Sequence, residues 1–220
     1  VLGYDGYIGT ACDISMGNPF LGKYFNHYRF GIDIASGKWE EIRTTFFWGG
    51  CALSGHCGDL YIPNCDSVGF LPGLNDVDYT FVVNFAMISR SFVETSGKFS
   101  AVDENDKRLQ MLQKASKYLN NGEDVYFAKF DYRAKGQNFP AFLYLKSHVD
   151  SPEQNESFRT LAVFNISEEE KELTCAVTDI ELPDGNYKIK DFWSGEECIG
   201  NEIKVTLKAH GSRLFLIEKA

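Results

Sequence analysis

A change of texture at Asn120-Asn121-Gly122 constrains this chain more than any single motif. From Glu123 onward it breaks into short β-rich runs, 125–132, 139–145, 160–165, 173–177, 187–192, 203–207 and 213–218, separated by turn signals such as Pro183-Asp184-Gly185 and His210-Gly211-Ser212. Closely spaced strands with no helix-period run between them predict an antiparallel Greek-key β-sandwich over residues 123–220. Near its end Ile203, Val205 and Leu207 alternate with Glu202, Lys204 and Thr206, and the turn at 209–212 leads back into Leu214 and Leu216. That spacing predicts a closing hairpin with one buried face.

Residues 1–122 have a different pattern. Lys38 to Trp48 places Trp39, Ile42, Phe46 and Phe47 near a common helical face, and Tyr79 to Phe92 is apolar almost throughout, as in a buried helix. A third helix is expected over 103–121, where Leu109, Leu112, Ala115, Ser116 and Leu119 recur at three and four residues, Asp103 suits the N-cap and Gly122 the position after the C-cap. β-rich runs at 8–12 and 29–34 precede the first two helices, and another lies near 92–99. Strand, loop and helix in succession indicate βα units, with a long Gly-, Cys- and Asp-rich passage between the first two helices.

Charge and composition exclude several classes. With 31 acidic against 22 basic side chains the net charge is -9, so the average surface repels a polyanion and nucleic acid is not an expected partner. The longest largely apolar stretches, such as Phe81 to Ile88, are far short of the ~20 residues of a membrane span, and mean hydropathy is -0.25, so no membrane partner is expected. Six cysteines are far fewer than the ~8–10% of a disulfide scaffold, which leaves both a cytoplasmic and a secreted location open. Cys51, His56, Cys57 and Cys65 lack paired C-x₂-C spacing, so no metal is expected. Gly49-Gly50 and Gly55 lack the following Lys-Ser/Thr of a phosphate loop, and Ser54 is not in a G-x-S-x-G elbow, so no cofactor is expected and a serine hydrolase is disfavoured. Asn155-Glu-Ser157 and Asn165-Ile-Ser167 fit the glycosylation pattern. Aromatics make up 15%, which suits stacking on flat ligand faces such as sugars.

Two stretches carry a resemblance. Tyr28-Arg-Phe-Gly-Ile-Asp-Ile34, followed by Trp39 and Ile42 and preceded by Ala11-Cys12-Asp13, resembles the later barrel strands of the melibiase-type α-galactosidases. Residues 187–195 and 207–217 resemble the closing sandwich domain of the same enzymes, in the same order along the chain. The resemblance implies a fold class of α/β plus all-β: a partial (β/α) TIM-type barrel over 1–122, the C-terminal half of an eight-stranded barrel, followed by the sandwich over 123–220. It implies retaining hydrolysis of terminal α-galactosides.

Within that resemblance Asp33 corresponds to the general acid/base. A glycosidic oxygen leaves poorly until protonated, which calls for a carboxyl at the mouth of the site. Arg29 and Asp13 correspond to residues that bind the sugar hydroxyl beside the anomeric carbon, and a guanidinium fork suits that task. Cys12 ends the strand that carries Asp13, Trp48 is placed to stack on a sugar face, and Asp59 or Asp66 to accept from sugar hydroxyls.

The same residues have plainer readings. Asp33 precedes Ala-Ser-Gly-Lys-Trp39 and suits a cap, Arg29 a surface ion pair, Asp13 a loop. His210, in a tight turn beside Gly211, suits a hydrogen-bonding turn residue better than a catalyst, and His27 and His148 have no recognisable partner.

A retaining mechanism also needs a nucleophilic carboxylate, which the family carries on an earlier strand ending in Lys-x-Asp. Tyr4-Asp5-Gly6-Tyr7 echoes that motif, but Asp5 stands too close to Cys12 for an intervening helix and strand. The nucleophile is therefore expected outside these residues. The barrel is expected to be completed by the remainder of a longer parent chain or by another subunit, a second copy of the chain included. The alternative is a non-catalytic carbohydrate-binding or scaffold protein.

Overall fold

The computed structural model describes residues 9–10, 27–29, 31–47, 62–71, 73–89, 91–119, 128–131, 142–146 and 158–220. Four strands, β1 (Gly9–Thr10), β2 (His27–Arg29), β3 (Ile62–Ser67) and β4 (Phe92–Glu94), form a sheet in chain order with every pair parallel. Parallel neighbours require crossovers, and helices α1 (Trp39–Thr45) and α2 (Asp76–Ile88) lie in those between β2 and β3 and between β3 and β4. Strand β3 was not legible in the sequence: Pro63, Asn64 and Asp66 interrupt any apolar alternation, and its partners on both sides make it a strand.

Helix α2 starts three residues earlier than its apolar run suggests. The Asn75 side chain accepts from the backbone N–H of Val77 and Asp78 at 2.9 Å each, and this cap pulls the polar Asp76-Val77-Asp78 into the helix. From Asp78 to Ile88 all residues but Thr80 are buried, as its composition requires. Helix α3 (Lys107–Leu119) starts later than expected. Asp106, not Asp103, provides the cap, its Oδ1 accepting from the N–H of Arg108 at 2.7 Å, whereas Asp103 closes a preceding turn onto the N–H of Asn105. The expected stop at Gly122 lies outside the described residues.

The remaining strands are β5 (Ala128–Asp131), β6 (Phe142–Lys146), β7 (Phe158–Phe164), β8 (Lys171–Ala176), β9 (Tyr187–Asp191), β10 (Glu197–Gly200), β11 (Glu202–Leu207) and β12 (Ser212–Lys219). They form two antiparallel layers: six strands in the order β10-β9-β12-β7-β6-β5, and the pair β11-β8. Strand β10 is an addition to the sequence reading, a charged edge whose Ile199 is exposed.

The expected closing hairpin is corrected. β11 pairs with β8, and β12 lies between β7 and β9, so residues 208–211 turn a corner from one layer to the other. His210 at φ 59° and a close approach of Gly211 to Lys208 make that corner. The run Leu214-Phe215-Leu216-Ile217 explains the choice, because an unbroken apolar stretch needs cover on both faces. Phe215 and Ile217 face the two-stranded layer, with Leu161, Val163, Leu173, Val205 and Leu207. Leu214 and Leu216 face the helices, where Ile42, Phe46, Phe81, Phe85 and Ala115 meet Leu143, Phe164 and Phe192. The rings of Phe46, Phe81 and Phe164 stand 4.7 to 5.0 Å apart, so helices and sandwich share one core.

Candidate active site

Strand β2 ends at Arg29, earlier than the run to Ile34 suggests, and Asp33 stands on the loop that follows. Three contacts hold that loop. Gly31 lies so close to α1 that a Cβ there would sit 2.5 Å from Cγ2 of Thr45. The Thr45 hydroxyl donates to the carbonyl of Ile32 at 3.2 Å. Buried Ile34 donates its backbone N–H to Oδ2 of Asp66. Asp33, between two held neighbours, turns its side chain outward, 68% exposed.

Arg29 joins this carboxylate to a second one. Its Nη2 donates to Oδ1 of Asp33, and its Nη1 donates to Oδ1 of Asp66 at 2.9 Å. The guanidinium and Asp66 are both mostly buried, so that bond is less screened than a surface pair, whereas the bond to the exposed Asp33 lies open to solvent. Arg29 Nε is buried with no hydrogen-bond partner among the described residues.

Asp66 owes its position to an irregularity in β3. The register of β3 against β4 shifts between Asn64 and Ser67, and Asp66 adopts φ 70° there, a left-handed conformation that non-glycine residues enter only when the surroundings impose it. The Asp66 N–H donates to Oδ1 of Asn64 at 2.8 Å, the Asn64 amide donates to Oε1 of Glu94 at 2.5 Å, and the N–H of Cys65 donates to the Ser91 hydroxyl at 2.7 Å. A bulge that re-aims one side chain is thereby tied on both sides.

Of the residues singled out in the sequence, Arg29 and Asp33 are brought together. Asp13, Cys12, Trp48 and Asp59 lie outside the described residues, as do Asp5, His148 and Asn155. Asp66, offered as a sugar hydroxyl acceptor, is buried with each oxygen holding a protein donor. Asn64 and Glu94 were not anticipated, because β3, which sets Asn64 beside Glu94, was not legible in the sequence. Asn165 is fully buried and its amide donates to the carbonyls of Glu169, Leu207 and Lys208, so in the folded chain it is a structural brace and not a glycosylation acceptor. Among the described residues no group of three His, Cys, Asp or Glu side chains could hold a metal, and no helix is long and apolar enough to cross a membrane.

A parallel strand-and-helix layer, carrying an Arg–Asp pair on the loop after one strand and packed against an antiparallel sandwich, defines the class of architecture. Residues 151–217 match the family described as the alpha galactosidase C-terminal beta sandwich domain. No curated protein is similar in sequence. Among solved structures the chain is similar to a GH27 β-L-arabinopyranosidase from Geobacillus stearothermophilus in complex with arabinose, at 18% identity and TM-score 0.77 over 97% of this chain and 50% of that one. It is also similar to alpha-galactosidase I from Mortierella vinacea, at 14% identity and TM-score 0.67 over 91% and 55%, and to an alpha-galactosidase from Saccharomyces cerevisiae, at 10% and 0.59 over 89% and 60%. The chain spans about half the length of the solved structures it matches first. Residues 151–217 thus carry the C-terminal β-sandwich of that family, and the chain as a whole shares its fold with these glycosidases.

Proposed function

We propose that this chain contributes the acid/base half of a retaining glycoside hydrolase acting on terminal α-galactosides. Residues 1–122 are read as the C-terminal half of a (β/α)₈ barrel and 123–220 as its sandwich domain. The four parallel strands in chain order support the barrel, and the fold shared with glycosidases supports the activity. One observation carries the assignment: an exposed carboxylate, Asp33, held by an arginine four residues earlier at the C-terminal end of a parallel strand, where barrel enzymes place their chemistry.

In this reading the Asp33 carboxyl gives its proton to the glycosidic oxygen as the bond to the anomeric carbon breaks. A carboxylate on a segment outside these residues takes the glycosyl group. Asp33, now ionised, removes a proton from the water that attacks the anomeric carbon; this restores its protonated form as the bond to the nucleophilic carboxylate breaks and frees that carboxylate. Arg29 pairs with the ionised form of Asp33 and reaches toward the 2-hydroxyl, whose hydrogen bonds tighten in an oxocarbenium-like transition state. By the resemblance, Asp13, Cys12, Trp48 and Asp59 are proposed as further sugar-binding residues.

The test is Asp33→Asn in the complete polypeptide that carries this sequence. Turnover of an α-galactosyl disaccharide is expected to fall by about 10²–10⁴-fold with sugar binding retained, the range of a lost general acid. Turnover within a few fold of the parent would falsify the acid assignment and leave the Arg29–Asp33 pair as a scaffold contact.

A further inference from the structure

The Arg29–Asp33 pair does not stand alone in the structure, and its support comes from strands that contribute no group to the proposed proton transfer. Asp66 holds two things at once. Its Oδ1 accepts from Nη1 of Arg29 at 2.9 Å, and its Oδ2 accepts from the N–H of Ile34, the residue after Asp33. One carboxylate therefore fixes both the guanidinium that grips Asp33 and the backbone that carries it. The conformation that permits this is costly, because Asp66 sits at φ 70° within a strand and has lost most of its contact with water. The next contacts outward account for its persistence: Asn64 accepts from the Asp66 N–H at 2.8 Å and donates to Glu94 on β4 at 2.5 Å. A polar chain thus crosses three adjacent strands, from Glu94 through Asn64, Asp66 and Arg29 to Asp33.

We infer that Asp66 is the positioning residue of the site, that it sets the place of Asp33 through Arg29 and Ile34 together, and that Asn64 and Glu94 hold Asp66 in turn. This rests on the glycosidase reading of Arg29 and Asp33. Asp66 does not itself exchange a proton with substrate. Both its oxygens are occupied inside the protein, which separates it from the sugar-binding role its position in the sequence suggested.

The role has a signature that a general loss of stability lacks. A displaced acid hurts substrates that need protonation more than those that do not, so Asp66→Ala in the complete polypeptide should lower kcat/KM on an α-galactosyl disaccharide by about 100-fold. On 2,4-dinitrophenyl α-galactoside, whose leaving group departs unprotonated, the loss should stay below about 10-fold. Asp66→Asn keeps one acceptor oxygen for the Ile34 N–H while turning an NH₂ toward Arg29, and should show the same leaving-group dependence at smaller size. It also serves if the alanine variant does not fold. Glu94→Gln should reproduce the direction with a loss of a few fold.

Equal losses on the two substrates, or none, overturn the inference. If the unmodified protein turns over neither substrate, the glycosidase reading fails, and the positioning of the loop is then decided without activity by amide hydrogen exchange. Faster exchange at Ile34 in Asp66→Ala than in Asp66→Asn, by about 10-fold or more with α1 unchanged, sustains it. Equal exchange in the two variants ends it.

Discussion

The imidazole of His210 lies flat against the indole of Trp39, ring centroids 3.8 Å apart and planes 10° from parallel. Trp39 opens α1, and His210 forms the corner between the two sandwich layers, so the stack joins elements far apart in the chain. The ring nitrogens extend the junction: Nδ1 is 3.1 Å from Oδ1 of Asp78 in the first turn of α2, and Nε2 is 3.0 Å from Oε2 of Glu168. Trp39 also meets the edge of Phe81 at 5.1 Å. Asn84 reinforces the same junction from α2, accepting from the Trp193 indole at 2.7 Å and donating to the Ser212 hydroxyl at 2.9 Å.

His210→Ala should therefore loosen the sandwich from the helices. The loss of a stacked pair and of a hydrogen bond to a buried carboxylate is expected to cost about 2–3 kcal/mol in urea unfolding. His210→Phe should recover only the stacking part, roughly 1 kcal/mol. Equal stability of the alanine variant and the parent would show that the stack carries no net energy.

Asp191 should make stability depend on acid pH. Burial pushes its carboxyl up, but the N–H of Ser194 at 2.7 Å and the Arg213 guanidinium at 2.8 Å outweigh this and hold it below the ordinary 3.8. A carboxyl lowered on folding contributes stability that is full above its unfolded value and lost as pH falls through the folded one. Urea midpoints should thus fall below about pH 4 in the parent, and more shallowly in Asp191→Asn. At neutral pH that variant should be less stable by about 2 kcal/mol, for the loss of a charge-assisted bond.

Gly31→Ala should damage the site through packing. The new methyl would meet Cγ2 and Oγ1 of Thr45 at 2.5 and 2.6 Å, closer than any real contact, so either α1 or the loop carrying Asp33 must shift. A stability loss of about 1–3 kcal/mol is expected, with altered amide shifts from Ile32 to Ile34. Unchanged shifts at those three residues would sink the account.

The thiols should separate sharply. Burial, with a smaller effect from the nearby Asp66 carboxylate, pushes Cys65 up to about 12 against the weaker pull of Ser91, and Cys175 is buried, whereas Cys198 is exposed on the edge strand β10. Iodoacetamide at pH 8 should label Cys198 in the folded chain and reach Cys65 and Cys175 only after unfolding, as peptide mass mapping would show.

Much of this was legible in the residues. The β-rich runs after Glu123 became strands within a few residues of their expected ends, because period-two patterning with Gly and Pro breaks is a local property. The Arg29-x-x-x-Asp33 spacing also put both groups within reach of each other. Errors arose where something other than apolar periodicity made the decision, either a local cap or a strand partner distant in the chain. Helix boundaries moved because Asn75 and Asp106 cap where apolar periodicity has no voice, and β3 exists because β2 and β4 pair with it despite Pro63 and Asp66.

Residues near one another in the chain specify most of the strands and helices, β3 and β10 excepted, together with the net negative charge and the candidate acid with its arginine. Tertiary structure decided the rest. It placed β12 between β7 and β9 so that both its faces are covered, set His210 on Trp39, and brought Asp66, 37 residues after Arg29, back onto the guanidinium. The physical reason is the same in each case: hydrogen-bond and packing partners for buried groups are chosen by the whole fold, and only that choice sustains a left-handed aspartate inside a strand.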